Sequence, residues 1–131
     1  MTTPYSGKML LPAEIESKVM IPFLRAMVAK KLVYEKGFTQ EQVARVLGVT
    51  QAAVSNYLRG VRGVSIDWEK NDELTRWTDE VVEAVLRNEP KEEVARKIND
   101  ALKNIRLLRI LCEFHKKLEP EIDVDSCHVC D

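Results

Sequence analysis

Four side chains near the C-terminus have the types and spacing of a metal-ligand set. Cys112 and His115 stand three residues apart, and Cys127 and Cys130 repeat that gap after eleven intervening residues. Three thiolates and one imidazole are a common donor set for tetrahedral zinc. On a helix, residues three apart share a face, so Cys112 and His115 can close on one ion together. Cys127 and Cys130 fall in the acidic tail "EPEIDVDSCHVCD", whose Pro120 would turn it back toward them. His128 is a second imidazole, but flanked by two ligands it would point outward, so His115 is preferred. An iron–sulfur cluster is the alternative occupant, since cysteine-rich sets with a histidine also hold clusters. Four closed ligands of mixed type favour structural zinc. The plainer readings are a core Cys112 with a helix-end His115, and a reversible Cys127–Cys130 disulfide. Stable disulfides are disfavoured inside cells, and three cysteines cannot all pair within one chain.

A second constellation lies in "RVLGVTQAAVSNYLRG", residues 45–60. The twenty residues from Gln40 to Arg59 place Ala44 fifth, Gly48 ninth, Val54 fifteenth and Tyr57 eighteenth. A small residue at the fifth position lets two helices cross closely. A glycine at the ninth supplies a permissive backbone for the turn. With Val54, Tyr57 and Leu58 turned inward, Thr50, Gln51, Ala52, Ser55, Asn56 and Arg59 face outward. Amides such as Gln51 and Asn56 suit bidentate pairing with adenine, arginine suits guanine or a phosphate, and the Ala52 or Thr50 methyl suits a thymine methyl. Gln40 and Arg62 are phosphate candidates. The spacing therefore predicts a helix-turn-helix that reads DNA.

Helices must position both sets. Apolar residues recur at helical spacing from Ile15 to Leu32, with Pro22 expected to kink that stretch or open a second helix. Gly37 is expected to stop it as a left-handed cap. Thr39 and Gln42 have capping-box spacing, Gly48 should end that helix, and Thr50 should cap the next. Residues 59–71, "RGVRGVSIDWEKN", read as a loop with a short extended piece at 64–66. Asn71 or Asp72 should open a helix with Leu74, Trp77, Val81 and Val85 inward. Pro90 suits the first turn of a final helix running to about Leu118. Along it Val94, Ile98, Ala101, Ile105, Leu108, Cys112 and His115 make one seam. Leu107, Leu111, Phe114 and Leu118 make a second stripe, available to a partner or to the chain's own core. The prediction is an all-α fold: a helix-turn-helix domain at 13–63 and a helical dimerisation and metal-binding region at 70–131.

The totals narrow the function classes. The 131-residue chain carries a net charge of −1 and 45% apolar residues, enough to build a core. Residues 1–62 hold nine Lys/Arg against four Asp/Glu, whereas residues 63–131 hold eleven against seventeen. Only the front half is suited to meet a polyanion. No apolar run approaches the roughly 18 residues of a membrane span, and the first ten residues lack a secretory pattern. A soluble cytoplasmic protein is expected. There is no phosphate loop and no nucleophile with a paired base. A zinc hydrolase would need an open coordination position that four ligands close. An enzyme is not expected.

Three stretches, "LPAEIESKVMIPFLRAMVAKKL", "GFTQEQVARVLGVTQAAVSNYLRGVRG" and "ILCEFHKKL…SCHVC", together resemble a family of predicted archaeal transcriptional regulators. They cover about half of the chain. That family carries a lambda-repressor-like (XRE-type) helix-turn-helix and a C-terminal cysteine-rich metal site. The chain departs from it at His115, where members often have a second cysteine. The resemblance implies that helix 50–59 lies in the major groove of double-stranded DNA, with 22–36 as the supporting helix. A homodimer would pair two such helices with half-sites about one helical turn apart. The rival expectation is an antitoxin-like or coactivator-like adaptor, whose acidic half 63–131 docks a basic protein.

Overall fold

The structure is a computed structural model that describes residues 11–59 and 71–107. Its elements are α1 (Pro12–Ile15), a π-helical turn (Glu16–Met20), α2 (Ile21–Lys30) and a second π-helical segment (Lys31–Glu35). They are followed by α3 (Gln40–Leu47), α4 (Gln51–Arg59), α5 (Asp72–Leu86) and α6 (Lys91–Leu107). There is no strand among the described residues, in keeping with the all-α expectation.

The first four segments form one helical path, because the junction residues Ile15, Met20 and Lys30 all keep right-handed helical dihedrals. Pro22 cannot donate a backbone hydrogen bond, and its ring crowds the carbonyl four residues back. The chain absorbs this by widening just before it: the Ile21 N–H reaches back five residues to the Glu16 carbonyl. A π turn of this kind keeps the helix going where an α turn would clash. Pro22 thus sits in the first turn of α2, as expected. The supporting helix, however, does not begin at residue 22; its path starts at Pro12, because the π turn replaces a break.

The later boundaries are set by local chemistry. Gly37 stops the long helix at φ +74°, and the Phe38 N–H closes onto the Leu32 carbonyl at 2.9 Å. Thr39 and Gln42 form the reciprocal capping box: Gln42 N–H donates to Thr39 Oγ1 at 3.1 Å, and Thr39 N–H to Gln42 Oε1 at 2.8 Å. Asn71 caps α5, its Oδ1 accepting from the Leu74 N–H at 3.0 Å. At the other end of α5, Asn88 adopts φ +55°. The Glu89 N–H then reaches the Ala84 carbonyl and the Asn88 N–H the Val85 carbonyl, a Schellman closure. Pro90 stands one residue ahead of α6 rather than inside it, and its carbonyl accepts from Glu93 and Val94.

Packing joins the two halves of the chain through two clusters. In the first, Ile15, Met20, Phe23 and Met27 meet Leu74, Trp77, Ala101 and Ile105. In the second, Val28, Ala29 and Leu32 meet Val43 and Val54 on one side and Val81, Val85 and Val94 on the other. Ile98 packs against both. Burying side chains the size of Met20, Leu32 and Leu74 stabilises the fold by about 1.5–3 kcal/mol each. The one buried polar side chain among the described residues, Thr78, donates its hydroxyl to the Leu74 carbonyl at 2.8 Å, which removes the penalty of an unmet donor. Ion pairs Lys31–Asp79 and Arg106–Glu16 link the long helix to α5 and α6.

The seam of α6 follows its spacing, with Val94, Ala101 and Ile105 buried and Ile98 half-buried. Leu107, from the second stripe, is 67% exposed. Leu108, Leu111, Phe114 and Leu118, the continuation of the last helix and the extended piece at 64–66 lie outside the described residues. No described helix is long and apolar enough to cross a membrane.

Candidate nucleic-acid interface

The site is built from α3, the turn at Gly48 and α4. Ala44, 7% exposed, lies on the buried side of α3, which packs on α4. Gly48 takes φ +67° and ψ +36°, and the Val49 N–H returns to the Ala44 carbonyl at 3.0 Å. This left-handed residue redirects the chain within two residues, which a side chain would resist. The Thr50 hydroxyl then accepts from the Ala53 N–H at 3.0 Å and opens α4.

Burial fixes the rotation of α4. Val54 is fully buried, while Tyr57 and Leu58 pack half-buried against the second cluster. The same helix leans on α2, so it is held from two directions. Gln51, Ala52, Asn56 and Arg59 are left exposed and Ser55 half-buried. That face bears two amides, a methyl, a hydroxyl and a guanidinium, and α4 contains no acidic residue. The positive end of a helix dipole and its free N–H groups sit at the same N-terminus, which suits an anion.

The structure brings together most of the residues singled out from sequence. Thr50, Gln51, Ala52, Ser55, Asn56 and Arg59 all belong to α4 or its cap. Gln40 begins α3 and is half-buried. Arg62 lies outside the described residues. Two features go beyond the sequence reading. Arg59 Nη2 donates to Ser55 Oγ at 3.3 Å, folding the guanidinium back along its own helix. Arg45, an exposed cation on α3, pairs with Glu41 at 2.7 Å. Both follow i,i+4 spacing and were open to detection from sequence. The contact of Lys91 with the turn was not: a Cβ at Gly48 would meet the Lys91 Cε and Nζ at 3.2 Å.

Among the described residues, no group of three or more His, Cys, Asp or Glu side chains is placed to hold a metal. Cys112, His115, His128, Cys127 and Cys130 all lie outside the described residues. No curated protein and no solved structure matches the chain. Residues 28–67 match the helix-turn-helix family model HTH_3, so this chain contains an XRE-type helix-turn-helix domain.

Proposed function

We propose that the protein is a transcription regulator that binds double-stranded DNA in a sequence-specific way, with α4 entering the major groove. The observation that carries this reading is the outer face of α4: polar, free of acid, and locked in orientation by the buried Val54. The helix-turn-helix family match over the same segment supports it. Gln51 and Asn56 would read adenines, Arg59 a guanine or a phosphate, and the Ala52 and Thr50 methyls a thymine methyl. Ser55 would contribute from the same face. Gln40 and Arg62 would hold phosphates and set the register. The role is one of binding and not of catalysis, in the cytoplasm.

A homodimer would present two α4 helices to adjacent half-sites, and the exposed Leu107 gives α6 an apolar position for a partner copy. The C-terminal set, Cys112, His115, Cys127 and Cys130, would hold one metal. Its donor chemistry suits structural zinc, with an iron–sulfur cluster as the alternative.

Selection from a random duplex library, followed by anisotropy titrations, tests the DNA reading. Asn56→Ala should weaken the selected site by about tenfold to a hundredfold, the range for one bidentate base contact, with little change for unrelated duplex. The logarithm of the association constant should fall linearly with the logarithm of salt concentration. Capture of no duplex at low salt would overturn the proposal. Metal and sulfide analysis of untagged protein purified without oxygen tests the C-terminal site. One zinc per colourless chain is expected, iron with acid-labile sulfide would assign the cluster, and neither metal in folded protein would remove the site.

A further inference from the structure

A cleft of about 240 Å³ opens between α2, α3 and α6. Its apolar lining includes Val46 and Leu47 in the last turn of α3 and Ile98 and Leu102 on α6. These four are only half-buried, so water meets an apolar surface at the seam between the two core clusters. Two cations border it, Arg25 from α2 and Lys91 from the start of α6, and none of the described lining residues is acidic. That is a selective composition in a chain with 21 Asp and Glu.

The second observation concerns charge. Lys31, Arg45, Arg96 and Arg106 each reach a carboxylate. Arg25 is half-buried, yet neither it nor Lys91 forms an ion pair or a side-chain hydrogen bond with any described residue. A guanidinium partly withdrawn from water beside an apolar floor complements a carboxylate carrying an aliphatic tail.

We propose that this cleft binds a small aliphatic monocarboxylate, with the carboxylate on Arg25 and Lys91 and the tail over Val46, Leu47, Ile98 and Leu102. A cleft of about 240 Å³ has room for a short-chain acid of several carbons, and hexanoate serves as the probe. The occupant would touch the last turn of α3, and it would engage the same Lys91 whose side chain rests against Gly48. Occupancy therefore bears on the helix-turn-helix geometry, although the binding itself is independent of any role in DNA recognition.

The test is titration of the full chain with hexanoate, hexan-1-ol and acetate, read by calorimetry and by backbone amide shifts. Hexanoate should saturate on the order of 1 mM, moving the amides of Val46, Leu47, Ile98 and Leu102. It should bind about tenfold tighter than the alcohol, the factor a charge-assisted hydrogen bond carries, and tighter than acetate, which lacks the tail. Arg25→Gln should abolish the preference for acid over alcohol, and Arg25→Lys should retain most of it, with circular dichroism confirming that both variants fold. Equal binding of acid and alcohol, equal binding of hexanoate and acetate, shifts confined to another surface, or no saturation by hexanoate would each overturn the proposal.

Discussion

Replacing Gly48 by alanine isolates the energetics of the turn between α3 and α4. Gly48 occupies the left-handed region at φ +67°, where an L side chain costs roughly 1–2 kcal/mol. Alanine also narrows the unfolded ensemble, which returns about 0.4–1 kcal/mol. The net loss from backbone strain is then about 1 kcal/mol. The new Cβ would meet the end of the Lys91 side chain at 3.2 Å. Lys91 is exposed and flexible, so it can retreat by a few tenths of an ångström, adding less than about 0.5 kcal/mol. Gly37 provides an internal reference: it has φ +74°, and a Cβ there would meet nothing within 4 Å. Gly37→Ala and Gly48→Ala should therefore lower the melting temperature by similar amounts, about 3–6 °C each for a chain of this size. Thermal unfolding followed by circular dichroism, with urea titration as a check, measures both. The double variant Gly48→Ala/Lys91→Ala closes a cycle that isolates the contact. If Gly48→Ala costs over about 2 kcal/mol more than Gly37→Ala, Lys91 does not yield and the reasoning fails. No loss at all would mean that the turn is not left-handed.

Thr39→Ala removes the hydroxyl that accepts from the Gln42 N–H, while the backbone N–H of residue 39 can still donate to Gln42, and it should cost about 1 kcal/mol, read from the urea midpoint at constant slope. Asn88→Gly relieves the left-handed strain at φ +55° and should stabilise the protein by about 0.5 kcal/mol in the same assay; Asn88→Val should do the reverse. Leu32→Ala opens a void beneath α3 in a site with no exposure, so a loss of about 2–5 kcal/mol is expected, and a smaller one would mean that the second cluster collapses around it. Ser55→Ala frees the Arg59 guanidinium from its intrahelical acceptor; the affinity for the selected duplex should change while the melting temperature stays within about 2 °C of the parent, because the residue is only half-buried.

How far the sequence could be read depends on the range of each interaction. Thr39 with Gln42, Thr50 with Ala53 and Asn71 with Leu74 are bonded across three residues, so their side-chain types and spacing announce them. Gly48 and Gly37 sit where a helical period stops, and both prove left-handed. The inward face of α4 follows from Val54, Tyr57 and Leu58, because helical geometry ties rotation to spacing. The π turn ahead of Pro22 was not legible: proline announces a disturbance, but whether the chain breaks, kinks or widens depends on what packs around it. Met20 and Phe23, on either side of Pro22, share one buried cluster with Leu74, Trp77 and Ile105, and that packing favours continuing the helix.

The amino-acid order alone determined the helical class, the caps, the turn and the polar residues presented by α4, because each rests on contacts within a few residues. Tertiary structure decided what no local pattern contains. It put α5 and α6 into one cluster with the first long helix and into a second that also holds the helix-turn-helix, paired Lys31 with Asp79 and Arg106 with Glu16, and laid Lys91 against Gly48. It also left Arg25 without an ion pair among the described residues, beside an apolar cleft made by three helices. These contacts join residues far apart in the chain, and their partners are chosen by how apolar faces fill one shared interior, a property of the packed whole rather than of any segment.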